Sequence, residues 1–591
     1  MIAPFDLTAE QLQALLAVAR GDVPADLLLT GGRLVNVLSG EVYPAEVAIL
    51  GNRIAGVSVT SGVYQAQRTL DLGGQFLAPG FIDAHVHIES SLLTPAEFAG
   101  AVLPCGTTAV VSDPHEIANV HGLDGIRYML GASDGLDLRV FVMLSSCVPA
   151  TDMETSGAAL DAAALASLLA EPRVLGIAEL MNYPGLIAGA PDMVAKALLG
   201  HRARLRLDGH APLVTGQALQ AYAAAGVASD HESVAAAEAL EKLRSGMQVL
   251  IREGSTAKNL DALLPIVTER NGRFCSFSTD DKQPDDLVHE GHLDHSLRRA
   301  IASGLDPLLA LRMVTINTAR HYGLNDLGAI APGYLADMVT FADPRDLRVT
   351  RTFAGGRLVA DSRRLLVPQR STTPPPRNHV SAPGLSLASF ALPATARRAR
   401  VIEMVPEQIV TRAVTLEVPV SDGYAIADPA RDLLKIAVVE RHHGTGNTGV
   451  GLLKGFGLRA GALASTFAHD SHNIVVIGTS DDEMLLAVQT IVAIGGGLAA
   501  VRGGEVLGTL PLPIAGLMSD QPFETVRADM VRLLEIAREL GCAHANPYMA
   551  MAFLALPVIP ELKITDKGLV DVTAFKLVSP FDTTGAAEMP R

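Results

Sequence analysis

The sequence predicts an α/β protein built on a (β/α)8 barrel of the TIM type, bracketed by β-rich segments and followed by a separate α+β domain. Three observations carry this prediction. Eight short apolar runs alternate with helical stretches between residues 76 and 280, the pattern of βαβ units and a parallel sheet. Segments rich in strand and turn signals lie on both sides, at 25–72 and 328–367. A proline-rich break at 367–377, with Pro374, Pro375 and Pro376 in succession, then favours an extended linker.

Taken in order, residues 8–20 read as a helix. The segment after it has turns at Gly31-Gly32, Ser39-Gly40 and Gly51-Asn52, so residues 1–75 form the leading helix and the first β-rich half. The barrel occupies 76–325. Its first strand ends at His85 and His87, and later strands are expected at 106–113, 138–146, 174–180, 204–210, 226–231, 248–255 and 273–280. Residues 217–225 and 234–244 are two of the intervening helices. The second β-rich half spans 326–370, the linker 371–384 and the last domain 385–591. Within that domain Gly444, Gly446 and Gly449 match G-x-G-x-x-G after a strand-like run at 436–440. Without an evident βαβ unit and ribose-binding acid, a turn explains these glycines better than a dinucleotide site.

His85 and His87 are one residue apart in an extended run, so both imidazoles project from one face and can reach one metal ion. Glu179, His210, His231 and Asp280 fall at or near the C-terminal ends of later strands, the rim where such barrels carry their active sites. Taken singly, each could be a paired carboxylate, a helix cap or a hydrogen-bonded imidazole. Taken together, uncompensated buried acids and imidazoles would be costly without an ion to gather them. Glu179 has two oxygens and can bridge two divalent ions, with His85, His87 and Asp280 completing one site and His210 and His231 the other. Such ions lower the pKa of bound water from 15.7 to about 7, supplying hydroxide to attack an electron-poor ring carbon that bears an amino group. Asp280 is the natural acceptor of the water proton and can deliver it to the leaving nitrogen. Histidine and carboxylate donors suit Mn, Fe or Zn.

Composition narrows the classes. The 591 residues, 49% of them apolar, suffice for three or four domains, and the formal charge of −16 argues against nucleic-acid and membrane partners. No apolar run reaches spanning length and the N-terminus lacks a signal-peptide pattern, so a cytoplasmic enzyme is expected. Cys105, Cys147, Cys275 and Cys542 never approach the Pro-Cys-x-x-Cys spacing of zinc-dependent cytidine deaminases. Buried free thiols in a reducing compartment are expected instead.

The ligand order, His-x-His on strand one, a carboxylate on strand four, histidines on strands five and six and an aspartate on strand eight, resembles the amidohydrolase superfamily. Glu179 stands where many members carry a carboxylated lysine, which departs from dihydroorotases, hydantoinases and ureases. Longer segments resemble the bacterial adenine deaminase family: residues 79–91, Asp113-Pro-His-Glu-Ile117, Ser145-Ser-Cys-Val-Pro149, Asp208-Gly-His210, Ile251-Arg-Glu-Gly-Ser255, Thr279-Asp-Asp281, and in the last domain residues 469–478 and 510–518. The resemblance covers nearly the whole chain. It implies hydrolysis of adenine to hypoxanthine and ammonia in purine salvage, two manganese or ferrous ions per subunit, and β-rich halves joined as one composite β-sandwich. A homo-oligomer is expected.

The purine ring must gain a proton as charge builds, and Asp113, His115 and Glu116 lie after strand two on the same rim, with a capping arrangement around Pro114 as the alternative. Ser255 and Asp281 are weaker substrate-binding candidates, and Asp281 could instead cap the next helix. The polar loop 469–473, with His472 as its candidate, is expected either to fold over the barrel mouth and orient the purine or to cap a sheet of its own domain. An N-acetyl-sugar deacetylase or cyclic amidase would use the same ligands, and an inactive scaffold would have lost them.

Overall fold

A computed structural model describes residues 7–376, 378–406 and 408–581; the outer ends of the first and last expected domains lie outside these. Alternating strands and helices between Phe81 and Tyr322 form a TIM-type α/β region. The strands Phe81–Val86, Thr107–Ser112, Arg139–Leu144, Val174–Ile177 and Arg206–Leu207 make a five-stranded parallel sheet. Ser229–Asp230, Gln248–Arg252 and Cys275–Ser278 make a three-stranded parallel sheet. The two curl toward each other at both edges. Ala228 N–H donates to Leu207 O at 2.8 Å on one side, while Asp280 N–H donates to His85 O at 3.0 Å and His87 N–H to Asp280 O at 3.1 Å on the other.

Both faces of these strands are buried, as parallel sheets covered by helices require. Ile82, Ala84, Ala109, Val111, Phe141, Met143 and Leu250 share one cluster. The alternating residues Val110, Val140, Val142 and Ile177 pack with Ile117, Ile126 and Met129 of the helix His115–Ala132. The fifth and sixth strands are much shorter than their apolar runs suggested, only two residues each. Their ends approach closely at Gly209, where a Cβ would meet Ser229 O at 2.4 Å. A side chain there would push His210 away from the sixth strand.

The flanking β-rich segments pair into one nine-stranded sheet, in which Met338–Phe341 runs antiparallel to Phe76–Pro79 and Ala25–Asn36 lies beyond it. The leading helix is Ala9–Ala19, with Thr8 as N-cap accepting from Gln11 N–H. In the C-terminal region Thr411–Glu417, Arg398–Met404, Thr448–Lys454, Leu433–Val439, Ile474–Gly478, Ala462–Ser465, Gly497–Arg502 and Glu505–Pro511 form an eight-stranded sheet in that order. Its alternation is again two-sided. Ala437, Val439, Ile474 and Val476 meet the helix Asp481–Ala493, whereas Ile436, Val438, Val475 and Ile477 belong to the large cluster that continues into the barrel helices. The glycines at 444 and 446, both with positive φ, sit in the turn between two antiparallel strands, Leu433–Val439 and Thr448–Lys454. That geometry is a hairpin and not a dinucleotide-binding βαβ unit. All four cysteines are free and buried, and among the described residues no helix is long and apolar enough to cross a membrane.

Candidate metal centre

His85 and His87 close the first barrel strand. The register with Thr107–Ser112 slips between Asp83 and Val86, a bulge that re-aims the side chains following it. Their Nε2 atoms face each other at 3.1 Å. Glu179 Oε1 lies 3.2 Å from His85 Nε2 and 3.0 Å from His87 Nε2, and Asp280 Oδ1 lies 3.5 and 3.1 Å from the same atoms. Glu179 Oε2 reaches His210 Nδ1 at 2.8 Å and His231 Nε2 at 3.5 Å. All six side chains named as ligands therefore meet at one buried centre, none more than 6% exposed.

The donor set fits divalent cations. Two imidazole nitrogens facing each other and two carboxylate oxygens leave lone pairs converging on one point. Glu179 Oε1, His210 Nε2 and His231 Nε2 are buried without a hydrogen bond, a costly arrangement that a cation resolves. His87 Nδ1 lies 2.9 Å from Asp113 O, so its N–H donates there and its Nε2 lone pair is left for the centre. Four groupings of ligand atoms fall within 4.8 Å of one another here: His85, His87 and Asp280; His85, Glu179 and His231; His210, His231 and Glu232; and His87, Asp113, His115 and Glu179.

Electrostatics follow from this crowding. Burial works against an ionised Glu179, yet His231 and His85 overcome it and hold the carboxyl well below its ordinary range. Asp280 is likewise buried and likewise held low, first by the Arg252 guanidinium and then by His85 and His87. Burial disfavours a charged His85, but Glu179 and Asp280 carry it up to about 9. Protons and divalent cations compete for these nitrogens, and metal affinity falls in acid.

Support comes from behind. Arg252 Nη1 donates to Asp280 Oδ2 at 2.6 Å and also contacts Glu232. Lys242, fully buried, donates to Asp230 Oδ2 at 2.8 Å, Glu238 Oε1 at 2.7 Å and Ala211 O at 2.7 Å, and Ala211 N–H donates to Asp230 Oδ1 at 2.9 Å. This network ties the strand ends that carry His210 and His231. Sequence reasoning assigned no role to Arg252, Glu232 or Lys242. Arg252 and Glu232 stand at strand ends like the ligands themselves, which is the signal that could have found them.

The opposite wall is made of two parts of the chain. Asp113 caps no helix: Ser145 Oγ donates to its Oδ1 at 2.7 Å and His115 Nδ1 to its Oδ2 at 3.0 Å. His115 Nε2 lies 3.3 Å from Glu116 Oε1. Across from them stands the loop 469–473 of the C-terminal region. His469 Nδ1 is 2.8 Å from Glu116 Oε1, His469 Nε2 is 3.6 Å from Asp281 Oδ2, and Asp470 Oδ1 is 3.8 Å from His115 Nε2. His472 contacts Glu116 from behind. Burial opposes a charged His469, but Glu116 and then Asp281 raise it to about 9. Burial also opposes an ionised Glu116, and His469, His472 and His115 hold it well below the usual range.

His469 and Asp470 line the pocket over the metal ligands, together with His87, His115, Met181 and Phe553; sequence reasoning had singled out the whole loop 469–473 as a cover for the barrel mouth, with His472 as its site candidate. Asp281 contacts Ser90, and the following helix Pro284–His289 starts from Gln283, so Asp281 is not its cap. Ser255 does not line the pocket. It accepts from Gln283 N–H at 2.8 Å and faces an adjoining cavity.

Comparison with known proteins follows the same two parts of the chain. A family model described as "Amidohydrolase family" matches residues 76–359, and one described as "Adenine deaminase C-terminal domain" matches residues 408–576. A relative named adenine deaminase from Desulfatibacillum aliphaticivorans is 50% identical over 96% of this chain and 99% of its own length. Adenine deaminase 2 from Carboxydothermus hydrogenoformans is 48% identical over 96% and 99%, and adenine deaminase from Methanothrix thermoacetophila 47% identical over 97% and 100%.

Proposed function

This chain belongs to the adenine deaminase family of amidohydrolases, and on that premise we propose that it hydrolyses adenine at C6, releasing ammonia and hypoxanthine. The observation that carries the reading is coextension: the half-identical relative aligns along 96% of the chain, through the barrel and the C-terminal region alike.

His85, His87 and Asp280 would hold one divalent ion and His210 and His231 a second, with Glu179 between them. Ions held by these residues would supply Lewis acidity, making hydroxide available as a nucleophile at neutral pH. Manganese or ferrous iron is the reading the family favours, and imidazole and carboxylate donors without thiolate support it, with zinc as the alternative. Asp280, kept ionised by Arg252, accepts the proton of the attacking water and passes it to the departing nitrogen. The cluster of Glu116, His115 and His469 supplies a proton to the purine ring nitrogen as oxygen adds to C6 and charge builds there. Asp113 orients His115 through its Nδ1, and His472 and Asp281 position the Glu116–His469 pair. Closure of loop 469–473 over the rim keeps bulk water away from the reacting carbon.

For the architecture, the two parallel sheets are read as one (β/α)8 barrel at 76–325, supported by the hydrogen bonds across both edges. Residues 1–75 and 326–370 are read as one composite β-domain, supported by the sheet they share. Residues 371–384 are the linker and 385–591 the C-terminal domain. Four buried free thiols support a reducing, cytoplasmic setting, in which a homo-oligomer serves purine salvage.

Ultraviolet monitoring of metal-loaded protein with adenine, adenosine and guanine side by side tests the reading. Adenine alone is converted. An unchanged adenine spectrum from protein that carries stoichiometric metal rejects it.

A further inference from the structure

The pocket over the metal ligands has a volume of about 20 Å³. A water molecule needs roughly 10–15 Å³ by the same measure, so the pocket takes a water and not a purine. Beside it lies a cavity of about 410 Å³, within the range of about 300–1,000 Å³ typical of small-molecule sites. Phe553 lines both spaces. It is 7% exposed, its ring lies 4.6 Å from that of His469, and it belongs to the helix Pro547–Leu554. On the barrel side the cavity is walled by Ser255, whose N–H donates to Asp281 O at 2.8 Å. The two spaces are thus one ring and one hydrogen bond apart.

The lining chemistry selects the occupant. Ile409, Ala550 and Phe553 give apolar surface, and Ser255, Gln408 and Asn546 give hydrogen-bonding edges. Among the described residues of the lining no acid is present, and the one ammonium, Lys258, is paired with Glu290 at 2.6 Å. A neutral, flat heterocycle fits this surface.

We propose that this cavity is the antechamber of the metal centre, where a free purine base docks before displacement of the Phe553 ring admits it to the ligands. The proposal rests on the deaminase reading above. The base is held between the Ser255 loop and the helix of Ala550, and the Phe553 ring closes behind it.

The test uses Ala550→Cys in the metal-loaded protein. The four native cysteines are buried, so a bulky disulfide-forming thiol reagent marks the new cysteine after folding is complete. Modification is expected to lower kcat/KM for adenine by at least about tenfold without changing the metal content, and reduction of the disulfide to restore it. Thr256→Cys, on the facing wall, is expected to behave alike. If both variants, fully modified, keep kcat/KM within about twofold of their unmodified forms, the cavity is not on the substrate's path and the proposal fails. Wild-type protein that never converts adenine would instead defeat the deaminase reading itself, so the two failures are distinguishable.

Discussion

The two walls of the metal pocket are built by different means. The metal-facing wall is drawn from the C-terminal ends of five barrel strands, the first presenting His85 and His87 and the other four one expected ligand each. The facing wall is assembled across an interface, with His115 and Glu116 at the start of a barrel helix and His469, Asp470 and His472 from a loop of the C-terminal region. The first wall holds charge that a cation must balance. In the second, Glu116 pairs with His115 and, across the interface, with His469 and His472. The proposed roles make metal binding and ring protonation separable, and substitutions should divide along the same line.

The largest separation is expected at Asp280. Asp280→Asn removes both a ligand and the proton acceptor, and kcat should fall by about 10²–10⁴-fold with reduced metal content; normal turnover by a fully metallated variant would show that the acid has no part in proton transfer. Next comes the support beneath the metal wall. Lys242→Met strands Asp230 and Glu238 in a buried site and should destabilise the fold by about 3–5 kcal/mol, measured by urea unfolding. A loss within experimental error would mean that the network is not needed to hold the strand ends.

A smaller effect is predicted across the interface. His469→Asn should reduce kcat by roughly 10–100-fold while metal stoichiometry stays at the wild-type level, and loss of metal in this variant would erase the distinction between the walls. A pH response rooted below the metal wall is expected as well. His292 is buried against Thr107 and Thr279, and burial, with Lys282, depresses its pKa to about 3. Its folded-state value lies below the unfolded one, so its contribution is complete above about pH 6.5 and is lost as pH falls toward 3, at about 1.4 kcal/mol per unit. Unfolding free energies measured from pH 7 to 5 should show a steeper decline in wild type than in His292→Gln. Equal slopes would contradict it.

Sequence alone made the metal wall readable because strand periodicity and the C-terminal-end rule act on neighbouring residues. His85 and His87 needed only their spacing, and Glu179, His210, His231 and Asp280 only their places at the ends of apolar runs. The interfacial wall depends on the packing of the C-terminal sheet onto the barrel helices through one shared apolar core, which no local pattern encodes. For that reason loop 469–473 could be singled out as a candidate cover for the barrel mouth, with His472 as its site residue, while the contacts of His469 with Glu116 and Asp281 could not be read. The fold divides likewise. Alternating strands and helices were visible, but the two-residue strands at 206–207 and 229–230 were not, because their apolar runs continue into loops that hold the ligands.

The most direct test of the whole account is metal analysis of the purified protein beside Glu179→Ala, each assayed with adenine. Glu179 is the one carboxylate shared by both expected ion positions, so wild type should carry close to two divalent ions per chain and convert adenine, and the variant should lose both properties together. Wild-type protein that deaminates adenine after exhaustive removal of metal, or a variant that keeps its ions and its activity, would contradict it.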